Sequence, residues 1–160
     1  MITLVLGGAR SGKSAIAEGL AAKRPAPILY FATAQPEGDE DFTARVARHR
    51  DRRPPDWRTI EAGADLVPAL ETATGTALVD ALGPWVASHA DFAVDVDALI
   101  SALTQRDGDA VVVSEEVGLG VHPSTEAGRR FRDALGDVNR AVAAVADEVL
   151  LVVAGRVLPL

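Results

Sequence analysis

Short apolar runs alternate with longer amphipathic segments along this chain of 160 residues. Short runs that are apolar throughout are typical of strands buried on both faces of a sheet. We predict such strands at residues 2–6, 27–33, 57–60, 76–80, 110–113 and 148–154.

The segments between these runs carry the period of a helix. The longest pattern, residues 123–146, repeats apolar positions at spacings of three and four, and residues 94–105 do the same. We predict helices at residues 13–23, 39–51, 64–72, 94–105 and 123–146. Residues 35–41 are predicted to be a loop, because Pro36 and Gly38 lie there among acidic side chains.

Strands that alternate with helices along the whole chain predict an α/β fold. In that class a mostly parallel sheet carries helices on both faces. No internal repeat, low-complexity tract or interdomain linker interrupts the pattern, and the length is that of one ordinary domain. We therefore predict a single nucleotide-binding domain over residues 1–160, for the reasons that follow.

Composition and charge exclude several classes of protein and argue against others. The formal net charge of -7 argues against non-specific binding of nucleic acid, although six of the fourteen arginines lie between Arg45 and Arg58. The chain has no cysteine, which excludes disulfides and Cys-ligated zinc. No signal-peptide pattern and no apolar run of membrane-spanning length is present, so we expect a cytoplasmic protein without a membrane span.

The strongest chemical signal is a P-loop at the end of the first predicted strand. The motif G-x-x-x-x-G-K-[ST] is matched by Gly7, Gly8, Ala9, Arg10, Ser11, Gly12, Lys13 and Ser14. Glycines let the backbone approach a phosphate closely, and successive N–H groups with the start of the next helix form an anion site. Lys13 is expected to bridge the outer phosphates, and the Ser14 hydroxyl to ligate Mg²⁺.

A P-loop enzyme also needs an acid to organise Mg²⁺, usually at the end of another buried strand. Two places qualify. Asp80 ends one apolar run, and Glu115 with Glu116 follows another. Carboxylates at the carboxyl ends of parallel strands face the ligand crevice.

His49 is the one histidine with an unusual setting, since arginines surround it at positions 45, 48, 50, 52 and 53. Like-charge repulsion favours the neutral imidazole, the form able to attack phosphorus, and the arginines can neutralise phosphate oxygens. A solvated basic helix face explains the same pattern equally well. His89 and His122 lack such a setting, and we interpret them as structural or solvated.

Beyond the P-loop, the sequence resembles the bifunctional adenosylcobinamide kinase/adenosylcobinamide-phosphate guanylyltransferases of cobalamin biosynthesis. The similarity is collinear over nearly the whole chain. It is carried by residues 7–14, 30–34, 44–46, 49–51, 53–54, 57–59, 116–121, 131–133, 136, 138–139, 146–149 and 152–155.

The resemblance implies two reactions and a RecA-like P-loop NTPase fold. The first reaction is phosphorylation of the aminopropanol hydroxyl of adenosylcobinamide with ATP or GTP. The second is transfer of GMP from GTP to that phosphate, which gives adenosylcobinamide-GDP and pyrophosphate. The family's members form small ring-like homo-oligomers, so a homo-oligomer, in the best-known case a trimer, is implied as well.

The resemblance also implies site residues. The histidine that carries GMP covalently falls on His49, and Lys13 acts with it in catalysis. Besides the P-loop, nucleotide-binding positions fall on Ala32, Thr33, Ala34, Arg50, Asp51, Arg52, Arg53, Glu61 and Asp80. Ser14, Asp80 and Glu116 are the expected Mg²⁺ residues, and Glu61 and Asp80 are alternatives for reading guanine.

The chain departs from the family pattern at three places. Arg48 stands where a second histidine is frequent, Asp80 stands where a glutamate is common, and the segment 83–97 is shorter. That segment is expected to form part of the corrinoid or subunit surface. The main alternative function is a small-molecule P-loop kinase without nucleotidyl transfer, in which His49 is structural. A second alternative is a non-catalytic GTP-dependent switch or binding module.

Overall fold

The computed structural model describes residues 1–34 and 54–160. The loop predicted at residues 35–41 and the helix predicted at residues 39–51 lie outside the described residues. Among the helices that are described, none has both the length and the apolar character needed to cross a membrane.

The described strands form one seven-stranded sheet in the order β3-β2-β4-β5-β1-β6-β7. All six predicted strands are confirmed, with ends that differ from the predictions by at most two residues. Their bounds, and those of a seventh strand, are β1 Ile2–Gly7, β2 Ile28–Ala32, β3 Arg58–Glu61, β4 Thr76–Asp80, β5 Ala110–Glu115, β6 Glu148–Val153 and β7 Arg156–Pro159.

The sheet is parallel from β3 to β6, and only β7 runs antiparallel to its neighbour. The sequence did not predict β7. Ala154 and Gly155, with φ of 50° and 74°, reverse the chain directly after β6. The prediction of one strand over residues 148–154 was therefore wrong at its end, since a tight hairpin follows Val153.

Five α-helices are described, and a 3₁₀ helix covers Ala90–Phe92. The α-helices are α1 Lys13–Ala21, α2 Leu66–Thr72, α3 Leu82–Ala87, α4 Val96–Gln105 and α5 Glu126–Val145. Three of them, α2, α4 and α5, begin later than predicted. In α4 and α5 an N-cap sets the start, because Asp95 accepts a hydrogen bond from Ala98 N and Thr125 accepts one from Gly128 N.

Helix α3 was not predicted, and it contains Gly83 and Pro84, two residue types that disfavour the interior of a helix. Both fall in its first turn, where proline removes no intrahelical hydrogen bond. Helix α1 ends two residues earlier than predicted, because Lys23 N and Arg24 N bond to carbonyls three residues back and tighten its end.

Helices cover both faces of the sheet, as predicted. Helix α1 packs on one face against a cluster that includes Val5, Tyr30 and Val113. Helices α2 to α5 pack on the opposite face in a larger cluster around Phe31 and Trp85. Strands β1, β2, β4 and β5 are therefore buried on both sides, which accounts for their uninterrupted apolar runs.

Candidate active site

The residues singled out by sequence gather at the carboxyl edge of the parallel sheet. In the strand register Gly7 is opposite Glu115, and Ala32 is opposite both Asp80 and Glu61. Strand β5 lies between β1 and β4. The P-loop that follows β1 therefore stands beside the acids that end β5 and β4.

The P-loop backbone needs its glycines. A Cβ at Gly7 would lie 2.5 Å from Ser11 Oγ and 2.8 Å from the Val152 carbonyl, so the loop closes only without a side chain there. Gly12, at φ 95°, takes the left-handed conformation that glycine adopts at low cost. Arg10 also has a positive φ, of 58°. Such a sharply turned segment before a helix points its N–H groups inward.

Two hydrogen bonds stabilise the conformation of the P-loop. Gly155 N, in the β6–β7 hairpin, donates to the Ser11 carbonyl at 2.8 Å, and Ser11 Oγ accepts from Lys13 N at 3.4 Å. Helix α1 begins at Lys13, after an N-cap residue, Gly12, that has no side chain to occupy the N–H groups of the first turn. The free N–H groups and the positive end of the helix are arranged to bind an anion.

Asp80 lies opposite Ser14. The Ser14 hydroxyl donates to Asp80 Oδ1 at 3.2 Å, and the Tyr30 hydroxyl donates to Asp80 Oδ2. Oxygen ligands of this kind suit Mg²⁺, which binds one or two protein oxygens and takes its other ligands from water and phosphate. Ser14 and Asp80 supply two such oxygens side by side.

Glu115 lies opposite Lys13. Its Oε1 is 3.5 Å from Lys13 Nζ, and its Oε2 accepts a hydrogen bond of 3.0 Å from Gly83 N at the start of α3. The lysine side chain is 12% exposed and the glutamate side chain 29%, so both are largely buried but keep some access to solvent.

Strand alternation explains why Glu115, rather than Glu116, reaches the lysine. Val111, Val113 and Glu115 are two residues apart and share the α1 face, as the burial of the two valines against α1 shows. Glu116 lies past the strand, where its Oε1 accepts from Gly118 N at 2.7 Å. Both acids were candidates from the sequence. The two-residue alternation of side chains along β5 distinguishes them, because it places Glu115 on the α1 face.

The remaining predicted positions lie further along the same edge. Thr33 Oγ1 accepts from Ala81 N at 2.9 Å and donates to the Ala81 carbonyl at 2.6 Å, which fixes residues 32–34 beside Asp80. Glu61 ends the outermost strand, and β2 separates it from Asp80. His49, Arg50, Asp51, Arg52 and Arg53 lie outside the described residues.

The other two histidines have structural contacts. His89 packs edge-on against Trp85, with ring centroids 5.4 Å apart, and its Nδ1 is 2.8 Å from the Trp85 carbonyl. His122 Nδ1 lies 2.9 Å from Arg132 Nη1 on the surface. Neither contacts the P-loop edge through these bonds, and both keep the interpretation of structural or solvated residues.

Solved structures with the same fold include P-loop NTPases. The chain superposes on a prototypical ATPase from the type III secretion system of pathogenic bacteria with a TM-score of 0.55 and 8% identity, over 94% of this chain and 50% of that one. It superposes on the flagellar accessory protein FlaH of Methanocaldococcus jannaschii with a TM-score of 0.51 and 13% identity, over 98% of this chain and 74% of that one. At such identities the likeness shows the fold alone, and the predicted P-loop NTPase fold is confirmed.

Sequence relatives identify the family. The chain is 41% identical to the bifunctional adenosylcobalamin biosynthesis protein CobP of Pseudomonas aeruginosa, over 100% of this chain and 97% of the relative. It is 42% identical to the bifunctional adenosylcobalamin biosynthesis protein CobU of Salmonella typhimurium, over 97% of each. The family model described as cobinamide kinase/cobinamide phosphate guanyltransferase matches residues 3–160. The chain therefore belongs to the cobinamide kinase/cobinamide phosphate guanyltransferase family.

Proposed function

We propose that this chain phosphorylates adenosylcobinamide with ATP or GTP and then transfers GMP from GTP to the adenosylcobinamide phosphate. The observation that carries the proposal is a P-loop whose lysine and serine each face a carboxylate, in a chain of this family. Phosphoryl transfer depends mainly on positioning and charge neutralisation, which this edge of the sheet supplies.

The P-loop would hold the nucleotide phosphates, and Ser14 with Asp80 would hold Mg²⁺. The ion, when bound, neutralises charge on the phosphates. The Tyr30 hydroxyl orients Asp80, while Lys13 is placed to contact the outer phosphate oxygens. Glu116 stays a further predicted Mg²⁺ residue, and one of its carboxylate oxygens, Oε1, already accepts from Gly118 N.

For guanylyl transfer we propose His49 as the nucleophile. Its imidazole nitrogen forms a bond to the α-phosphorus of GTP while the bond to the bridging oxygen breaks and pyrophosphate leaves. An oxygen of the corrinoid phosphate then attacks the same phosphorus and releases the histidine. Residues 32–34, 50–53, Glu61 and Asp80 complete the proposed nucleotide site, with Glu61 or Asp80 accepting from guanine.

Two measurements test this function. Adenosylcobinamide and GTP should yield adenosylcobinamide-GDP and pyrophosphate. With α-labelled GTP alone the protein should acquire an acid-labile label, which His49→Ala abolishes and His122→Ala, an exposed control, retains. Product that stops at the phosphate, with no label, would instead establish a kinase without nucleotidyl transfer.

We further propose that the protein is a homo-oligomer, with a trimer as the expected ring. Family membership supports this, and so does the exposed apolar side of the sheet at β7, where Val153, Leu158 and Leu160 are 58%, 55% and 70% exposed.

A further inference from the structure

We propose that Glu115 is the base that accepts the proton of the substrate hydroxyl in the phosphoryl-transfer reaction, and that guanylyl transfer does not need it. The inference rests on the proposed function, because it divides the two reactions of that one site between different proton acceptors.

The position of Glu115 follows from its contact with Lys13. A P-loop lysine contacts the β- and γ-phosphates of the bound nucleotide. Glu115 Oε1, 3.5 Å from Lys13 Nζ, therefore lies at the γ-phosphate end of the site. Asp80 lies at the other flank, beside the Ser14 hydroxyl.

Two hydrogen bonds fix Glu115, one to its carboxylate and one to its main chain. Oε2 accepts from Gly83 N, and the main-chain carbonyl of Glu115 accepts from Nδ2 of Asn139, a buried residue of α5, at 3.0 Å. A Cβ at Gly83 would clash with Oε2, so the close approach depends on that glycine. One oxygen is thus fixed, and the other faces the lysine.

Nucleotide binding frees this second oxygen. When Lys13 turns to the phosphates, Oε1 loses its ion-pair partner beside the place where the hydroxyl must attack. Asp80 is a poorer candidate, because Ser14 and Tyr30 already donate to both of its oxygens. As the hydroxyl oxygen bonds to the γ-phosphorus, its proton passes to Oε1. The bond from the γ-phosphorus to the bridging oxygen breaks, and its electron pair leaves with the nucleoside diphosphate.

Guanylyl transfer poses no such demand. Its first nucleophile is a neutral imidazole nitrogen and its second is a phosphate oxygen that is already ionised near neutral pH. Neither has a proton that must be removed before it attacks, so a base at the γ-phosphate end has no task in that reaction.

The test compares Glu115→Gln with wild type in each reaction separately. Phosphoryl transfer is followed with γ-labelled ATP and adenosylcobinamide, and guanylyl transfer with α-labelled GTP and preformed adenosylcobinamide phosphate. Loss of a general base should lower kcat for phosphoryl transfer by about 100-fold or more, with KM for ATP and kcat for guanylyl transfer both within about threefold. Glu115→Asp, which keeps a carboxylate, should recover part of the lost kcat.

The matched control is Glu71→Gln, which makes the same change at an exposed glutamate of α2 and should leave both reactions unchanged. An active wild type with equally active Glu115→Gln overturns the inference alone. Equal loss of both reactions also overturns it, because Glu115 then serves only to position Lys13 or the phosphates. A wild type that transfers GMP but no phosphoryl group overturns the proposed kinase function and the inference with it.

Discussion

Lys13 carries the cationic charge on which both proposed reactions depend. Its side chain is nearly buried, and Glu115 is its ion-pair partner. Removing the ammonium leaves the phosphates without the counter-charge that the P-loop supplies. We expect Lys13→Ala to weaken binding of Mg²⁺-GTP about tenfold or more, a free-energy change of about 1.4 kcal/mol or above. Isothermal titration calorimetry measures this directly.

Lys23→Ala provides the matched control, since Lys23 is an exposed lysine just after α1. Its dissociation constant should equal that of wild type. Equal affinities of Lys13→Ala and wild type would show that the nucleotide does not bind through this P-loop.

Gly83 is expected to matter for phosphoryl transfer, because the absence of a side chain there lets the Glu115 carboxylate approach α3. In Gly83→Ala the new methyl group would displace the Glu115 carboxylate, which is the far end of a flexible side chain. We therefore expect phosphoryl transfer to fall about tenfold or more while the melting temperature changes little.

Gly136→Ala is the control for the substitution itself. Gly136 is exposed in the middle of α5 with open space around it, so alanine should stabilise the helix by about 0.5–1 kcal/mol and leave both reactions intact. A Gly83→Ala protein with wild-type phosphoryl transfer would contradict the importance of the Gly83–Glu115 contact.

At the scale of elements, Arg106 joins the turn before β4 to the turn before β5. Its guanidinium donates to the carbonyls of Gly75, Asp109 and Ala73 at 2.8, 2.7 and 3.3 Å. Burial lowers the pKa of Arg106, and the nearby Asp107 and Asp109 oppose that shift. Arg106→Met leaves three partly buried carbonyls without this donor, so we expect a loss of about 3 kcal/mol in the free energy of unfolding.

Urea denaturation measures that loss. The control is Arg140→Met on α5, where an 84% exposed arginine pairs with Asp137 three residues earlier and, in the part of the chain that the structure describes, with no other acid, so the change in stability should be less than about 0.5 kcal/mol. Similar midpoints for the two variants would refute the bridging role of Arg106.

The elements that the sequence predicted well are those whose pattern reflects their burial. Strand β5 is apolar at four successive positions and buried on both faces, so its pattern alone identifies it. Strand β7 is four residues long and exposed, so burial imposes no pattern on it. Helix α3 was not predicted, because Gly83 and Pro84 disfavour a helix at most positions. They are tolerated in its first turn, where proline removes no intrahelical hydrogen bond.

Only the part of the candidate site that is local in sequence was predictable. The P-loop is local in sequence, so Gly7–Ser14 could be found without a structure. The partner of Lys13 is not local, because it depends on which strand lies beside β1 and which face α1 covers. An alternation of helices and strands leaves the strand order open, and the choice between Glu115 and Glu116 needed both facts.

At the scale of the whole molecule, strand order organises the site. Strand β5 between β1 and β4 sets one acid beside the lysine and another beside the serine of the same loop. The two flanks can thus take different tasks, with metal binding proposed at Asp80 and proton transfer at Glu115. The β6–β7 hairpin contributes from the other side, because Gly155 N supports the Ser11 carbonyl. An oligomer contact at this hairpin would therefore lie close to the P-loop.

That contact gives the last prediction. Within the described residues β7 pairs with β6 alone, and an exposed edge with apolar side chains is a ready site for association between copies. We expect wild-type protein to show a multiple of its 16.7 kDa chain mass, about threefold for a trimer, in size-exclusion chromatography with light scattering.

Leu158→Glu places a charge on this edge and should shift the mass toward that of one chain. Leu119→Glu makes the same change at an 81% exposed leucine in the loop after β5 and should keep the wild-type mass. A monomeric wild type would refute the proposed oligomer, and dissociation by Leu119→Glu alone would place the interface at the loop after β5 instead of at β7.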